Sequence, residues 1–196
     1  MIYFLALAWA AAYVFLRRSR AWLLSYVVGA VGFTLIVVYL MRGSVLESAF
    51  ETAGAVGAHY VGNLIGIPTK VFFNAPGTLL VLIVYQHSGW TAVEVDIECS
   101  GLLESIVFIG LVLFFRGLPF IRKVWYISVG LVFTFLVNLL RIVLIVAMIT
   151  HFGKDAIYLA HTVVGRAVFF LLVINLYWYT FTRTTMETLR RRIMEE

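Results

Sequence analysis

The sequence is poor in charge, in cysteine and in proline. Charged residues make up 13% of its 196 positions and hydrophobic residues 63%, whereas a soluble domain has about 25% and about 45–50%. This composition excludes an ordinary soluble domain. The mean hydropathy of +1.00 indicates an integral membrane protein, and the length leaves room for several helical crossings of about 20 residues each.

The single cysteine, Cys99, has no partner for an intramolecular disulfide. No Cys/His cluster has the spacing of a zinc site, and we expect neither a metal nor an organic cofactor. The net charge of +5 comes from Lys and Arg, whose positions in a membrane protein indicate which side faces the cytoplasm. No nucleic-acid partner is expected. The first apolar stretch lacks the basic residue and the small-residue cleavage site of a cleavable signal peptide.

Five apolar stretches predict transmembrane helices, at Ile2–Leu16, Ala21–Met41, Gly101–Phe115, Val124–Thr150 and His161–Thr182. Basic clusters follow the first, third and fifth stretches, and they comprise Arg17, Arg18 and Arg20, then Arg116, Arg122 and Lys123, then Arg183, Arg190, Arg191 and Arg192. With all three clusters in the cytoplasm the positive-inside rule is satisfied. We expect one multi-pass domain over residues 1–196 in the plasma membrane.

The segment 42–98 is then an extracytoplasmic insertion. Ser44 to Gly66 has the pattern of an interfacial helix packed by small residues. Thr78–Tyr85 and Thr91–Ile97 predict two strands around the turn at His87 to Gly89. The alternative is that this segment crosses the membrane twice. The predicted fold is an all-α polytopic bundle of about five transmembrane helices, or seven, with a small β-hairpin and an interfacial helix.

Cys99 stands where the hairpin ends and the third span begins, within Glu98-Cys99-Ser100-Gly101. A thiol at a helix N-terminus meets free backbone N–H groups and the positive end of the helix dipole, which favour the nucleophilic thiolate. The same N–H groups are suited to an oxyanion. The alternative is a small buried residue at a helix start, with Ser100 or Glu98 acting only as a cap.

Arg141 lies well inside the fourth span, with Asn138 one helical turn away on the same face. A charge at this depth is costly unless it is paired or faces a polar cavity. It has two interpretations, a functional cation or a structural ion pair with Glu104. His161 begins the fifth span and is a candidate general base, while His59, His87 and His151 compete for that role.

The residues Cys99-Ser100-Gly101, Asn138-Leu139-Leu140-Arg141 and His161 occur in this order along the chain. In this the chain resembles the exosortase/archaeosortase family of membrane cysteine transpeptidases, over roughly Pro68 to Phe169. Its small size is similar to that of the compact forms from Gram-positive bacteria.

The resemblance implies a secreted protein substrate whose C-terminal sorting tail has a short motif, a transmembrane helix and a basic cluster. It implies that Cys99 attacks near that motif to form a thioester, which an envelope lipid or glycan acceptor resolves. His161 is implied as general acid/base and Arg141 as the group that binds the scissile carbonyl or orients the thiolate. We assign Asn138, Glu104, Ser100 and Gly101 to substrate binding. The alternatives are a non-catalytic membrane subunit of an envelope polysaccharide or secretion system and a small transporter.

Overall fold

The computed structural model describes residues 2–75, 77–84, 89–183 and 186. Their helices are α1 (Ile2–Arg18), α2 (Trp22–Met41), α3 (Val45–Leu64), α4 (Leu102–Phe114), α5 (Phe120–Phe152) and α6 (Gly165–Tyr177). Their strands are β1 (Thr69–Ala75), β2 (Gly77–Val84) and β3 (Gly89–Val95). A 3-10 turn at Lys154–Ala156 and a π-helical segment at Leu159–Val164 precede α6, and a second π-helical segment, Trp178–Arg183, follows it.

The helices form an all-α membrane bundle. Within the described part of the chain, three helical stretches are long and apolar enough to cross a bilayer, at Trp22–Met41, Phe120–Phe152 and Lys154–Arg183. The fourth helix is shorter: its 13 residues span about 20 Å at 1.5 Å per residue, against a hydrocarbon core of about 30 Å. The first predicted span is the 17-residue helix α1. The fourth predicted span is longer than expected, and the fifth begins before His161.

The helices are neighbours in the order α1, α2, α4 and α5, and both α3 and α6 pack on α5. Helix α5 is therefore central, and its buried face supplies much of the apolar core, including Ile142, Val146 and Ile149. Gly130 on this helix lies against the ring of Phe108, where a β-carbon would come within 2.0 Å of the ring. The small residue allows α4 and α5 to approach closely.

Aromatic contacts show which ends of the helices lie together. Phe115, just after α4, lies 6.1 Å from Tyr26 near the start of α2 and 5.2 Å from Phe181 near the end of the last span, measured between ring centroids. The described residues of the three predicted basic clusters adjoin these positions, while Arg190, Arg191 and Arg192 of the third cluster lie outside the described residues. The described basic residues therefore gather at one end of the bundle, about 20 Å along α4 from the end that carries Cys99.

The segment between α2 and α4 forms a helix and a sheet. Helix α3 begins with a capping box, in which Ser44 Oγ accepts the N–H of Glu47 at 3.3 Å and the Glu47 carboxylate accepts the N–H of Gly43. It packs on α5 and on all three strands. The strands form an antiparallel sheet in the order β1-β2-β3, with Val81 opposite both Lys70 and Ala92.

The predicted interfacial helix and hairpin thus correspond to α3 and to β2 and β3. The third strand, β1, was not predicted, because its Phe-Phe-Asn run does not alternate between apolar and polar residues. It pairs with β2 along the edge away from β3. Part of the predicted turn, including His87, lies outside the described residues.

Candidate active site

Cys99 lies in a tight turn between β3 and α4. Its backbone N–H donates to the carbonyl oxygen of Asp96 at 3.0 Å and to Oδ1 of the same residue at 2.9 Å. Ser100 Oγ donates to the carbonyl of Ile97 at 3.0 Å and accepts the N–H of Leu102 at 3.3 Å. The side chains of Asp96 and Ser100 therefore stabilise the turn that carries Cys99.

Gly101 and Asn138 hold the same turn from the side of α5. Gly101 has a φ of +78° and caps α4 in the left-handed region, where glycine is the residue of lowest strain. A β-carbon on it would lie 3.1 Å from Cβ of Asn138. The Asn138 amide donates to the carbonyl oxygen of Cys99 at 2.7 Å. Asn138, Gly101 and Ser100 are buried, and their geometry supports the cysteine turn.

His161 faces the cysteine from the last span. Its Nε2 atom lies 3.3 Å from Cys99 Sγ, and it sits in the π-helical segment Leu159–Val164. Such segments change the direction of the side chains that follow and are frequent at functional sites. Gly165 follows directly, where a β-carbon would lie 2.9 Å from the carbonyl oxygen of Ala160. The segment thus aims an imidazole at the thiol.

The other described histidines, His59 and His151, do not lie beside Cys99. The ring of His59 is bonded to Thr69 at 2.8 Å and contacts Asn63, so it ties α3 to β1. His151 is exposed near the end of α5, where its ring contacts Phe152. His161 is therefore the histidine that the fold places beside the thiol.

Arg141 is buried on α5, 5% exposed. Its Nη1 donates to the carbonyl oxygen of Glu98 at 3.4 Å, and its guanidinium lies 5.6 Å from the centroid of the Phe169 ring. It also lines a cavity of about 620 Å³. The cation is thus held beside the residue that precedes Cys99, and it borders an open space.

Glu104 lines the same cavity. Among the described residues it forms no ion pair with Arg141, and its buried Oε2 atom has no hydrogen-bond partner. The structural ion pair considered for these two residues is therefore not made. Both charges face the cavity instead.

The thiol is held in its neutral form. Burial raises the pKa of Cys99, the charge of the Asp96 carboxylate adds to this rise and the Arg141 guanidinium opposes it, so that the pKa is about 11. This contradicts the expectation of a thiolate favoured by a helix N-terminus. The physical reasons are the burial of the thiol, the nearby Asp96 carboxylate and the start of α4 only at Leu102.

Two residues of this site were not identified from the sequence. Asp96 stands three positions before Cys99, the spacing at which an aspartate side chain caps a turn, and this spacing was an available signal. Phe169 contacts the Arg141 guanidinium, and no local pattern distinguishes it from the other aromatic residues of its span. Among the described residues no group of three or more His, Cys, Asp or Glu side chains is arranged to hold a metal ion.

The described residues form a membrane bundle that brings a thiol, an imidazole and a guanidinium to one end, and these are the groups that thiol-based acyl transfer requires. Residues 1–179 match the model of a family described as transmembrane exosortase (Exosortase_EpsH). The chain belongs to this transmembrane exosortase family. No curated protein and no solved structure matches the chain.

Proposed function

We propose that the chain is a membrane cysteine transpeptidase that removes the C-terminal sorting tail of secreted proteins and transfers them to an envelope acceptor. The observation that carries this proposal is the distance of 3.3 Å between Cys99 Sγ and His161 Nε2. Membership of the exosortase family supports it. The tailed secreted protein and the envelope lipid or glycan acceptor are the partners that the family implies.

The first step begins from a neutral thiol and a neutral imidazole, because the pKa of Cys99 is raised to about 11. His161 Nε2 accepts the thiol proton as Sγ attacks the scissile carbonyl carbon. The carbon–sulfur bond forms and the carbon–nitrogen bond of the peptide then breaks. The imidazolium gives its proton to the amine of the departing tail, so the proton taken from the thiol leaves with the tail.

The second step releases the thioester. An acceptor amine or hydroxyl attacks the thioester carbon and His161 takes its proton. The carbon–sulfur bond then breaks, and the imidazolium gives that proton to the departing sulfur, which regenerates the Cys99 thiol. Water in place of the acceptor makes the reaction a hydrolysis. Arg141, which lines the cavity beside Glu98, is the group we assign to the negative charge on the scissile oxygen.

Asn138, Ser100 and Gly101 act in this proposal as positioning residues rather than as substrate contacts. Side-chain atoms of Ser100 and Asn138 bond to the turn that carries Cys99, and Gly101 supplies its left-handed residue. A fixed nucleophile removes part of the entropy cost of attack. We further propose that the chain is multi-pass, with the Cys99 end of the bundle and the segment 42–98 extracytoplasmic. The gathering of the described residues of the basic clusters at the other end supports this orientation.

The experiment is a processing assay with a tagged secreted protein that carries a C-terminal tail, co-expressed with the chain. We expect the wild-type chain to shorten the reporter and both Cys99→Ala and Cys99→Ser to leave it intact. The mass of the product's new C-terminus separates transfer from hydrolysis, because an acceptor adds its own mass whereas hydrolysis leaves a free carboxylate. Processing that continues in Cys99→Ala would refute the proposal.

A further inference from the structure

The cavity beside Arg141 is a groove between α4 and α6. Both helices pack on α5, which forms the back of the groove. Leu103 and Glu104 line it from α4, and on α6 the lining runs from Arg166 to Tyr177. The eleven residue steps from Arg166 to Tyr177 correspond to about 16 Å along a helix, or three turns. We call this feature the α4–α6 groove.

The groove begins at the candidate active site and runs toward the basic end of the bundle. Arg141 and Glu98 line its upper end, and Glu98 is the residue before Cys99. At its lower end the ring of Tyr177 lies 5.7 Å from that of Phe108. Phe170, which lines it, is 65% exposed. The lining of the groove is therefore mixed: it is apolar along much of α6 and carries charged side chains at Glu98, Glu104, Arg141 and Arg166.

One polar side chain that lines this groove, Glu104, has an unsatisfied oxygen atom. Glu104 Oε2 is buried and lacks a hydrogen-bond partner within the described chain, and a buried polar atom without a partner is costly. Arg141 and Phe169 contact one another instead. A hydrogen-bond donor located in the groove would satisfy this oxygen of Glu104, because Glu104 lines the groove.

We infer that the α4–α6 groove binds the first three turns of the substrate's transmembrane tail, and that Glu104 accepts a hydrogen bond from a polar side chain on that helix. This inference rests on the proposed function. The tail helix follows the cleaved motif directly, so it leaves Cys99 at the point where the groove starts. Its axis must run along the bundle, as the groove does, and its apolar face matches the Leu103, Phe169 and Val173 lining.

The location is tested with a photo-crosslinking residue, p-benzoylphenylalanine, placed at Phe170 in a Cys99→Ala chain that cannot release the tail. The matched control is the same residue at Leu171, which is 62% exposed on the same helix and does not line the groove. The probe is a tagged secreted reporter with a short motif, one apolar helix and a basic cluster. We expect an adduct at position 170 and little at 171.

Equal adducts at both positions, or none at either, would overturn the docking site. The processing assay with the wild-type chain is scored separately on the same reporter. Processing without an adduct at 170 would reject the groove and leave the proposed function standing. An adduct at 170 without processing would support the groove and reject the catalytic proposal.

The role of Glu104 is tested by pairing Glu104→Leu with reporters whose tail helix carries or lacks a serine or asparagine at the depth of the groove. Loss of one hydrogen bond corresponds to about a fivefold to tenfold weaker interaction. We expect Glu104→Leu to raise the apparent KM by that factor, with kcat little changed, only for tails that carry the donor. Glu104→Gln, which keeps a side-chain acceptor, should retain the preference. An equal effect of Glu104→Leu on both kinds of tail would overturn this role.

Discussion

Sγ of Cys99 lies 3.3 Å from Nε2 of His161, although 62 positions separate the two residues in the chain. His151 is ten positions closer in sequence and lies in the last turn of α5, but it is exposed and its ring contacts Phe152. The two histidines therefore form a matched pair for testing which one exchanges protons with the thiol.

We expect His161→Ala to lower the rate of tail removal by about 10²- to 10⁴-fold, the usual contribution of a positioned general base. His151→Ala should leave the rate within about twofold, because an exposed side chain away from the site contributes little. The measurement is the initial rate of reporter processing, normalised to the amount of folded chain in the membrane. A large loss in His151→Ala, with little change in His161→Ala, would contradict the assignment.

The raised thiol pKa predicts a particular pH dependence of alkylation. With a pKa of about 11, only about one thiol in 10⁴ is ionised at pH 7, and the thiolate is the form that reacts. We expect the rate of iodoacetamide labelling in detergent to rise about tenfold per pH unit as long as the chain stays folded. Labelling is unambiguous because Cys99 is the single cysteine.

Asp96 provides the matched variant for this measurement. Its charge and its hydrogen bond raise the pKa of Cys99, so Asp96→Asn should lower that pKa and speed labelling at pH 7 to 8. Asp155→Asn, in the exposed 3-10 turn, is the control and should leave the rate unchanged. A labelling rate that already reaches its plateau near pH 8 in the wild-type chain would show that the thiol pKa is not raised.

Asn138 is expected to be required for stability as well as for processing. Its replacement by Ala leaves the carbonyl of Cys99 without its 2.7 Å hydrogen bond, and an unpaired buried polar group costs about 1–3 kcal/mol. Asn175→Ala is the control, because its exposed amide only bonds to the carbonyl of Leu171 in its own helix. Thermal unfolding in detergent should show a lower midpoint for Asn138→Ala and almost the wild-type midpoint for Asn175→Ala. An equal decrease of the midpoint in both variants would contradict the role of the Asn138 hydrogen bond.

The sequence predicted the parts of this molecule that depend on composition and on local order. Apolar stretches give the spans because a bilayer demands about 20 apolar residues per crossing, and the Cys99, Arg141 and His161 motifs stand in order along the chain. The strand β1 was not predicted because its pairing with β2 depends on tertiary structure and not on local sequence. Its side chains near Phe72 do not alternate in polarity.

The predictions that failed concern the electrostatics of the site. The charge state of Cys99 depends on where Asp96 and Arg141 lie relative to the sulfur, which a linear pattern does not contain. The same holds for Glu104, whose spacing from Arg141 was compatible with an ion pair that the described residues do not make. The choice of His161 over His151 depends on the π-helical segment at Leu159–Val164, and no sequence rule places such a segment.

Gly101 and Gly43 separate backbone strain from the packing of the site. Both have positive φ, +78° and +72°, and an L-residue in that region costs about 1–2 kcal/mol. Only Gly101 faces a neighbour, since a β-carbon there would lie 3.1 Å from Asn138, whereas nothing lies within 4 Å at Gly43. We expect Gly101→Ala to lower the unfolding midpoint more than Gly43→Ala does, and to slow processing. Equal midpoints in the two variants would contradict the packing argument.

The orientation of the bundle is tested with introduced cysteines in a Cys99→Ala background. Ser19 is exposed between α1 and α2 at the basic end, and Ala92 is exposed on β3 near the active-site end. Because basic clusters remain in the cytoplasm, a membrane-impermeant maleimide applied to intact cells should label Ala92→Cys and leave Ser19→Cys unlabelled. After permeabilisation both should react, which controls for accessibility. Labelling of Ser19→Cys alone in intact cells would place Cys99 and His161 on the cytoplasmic side, where a secreted tail would not meet them.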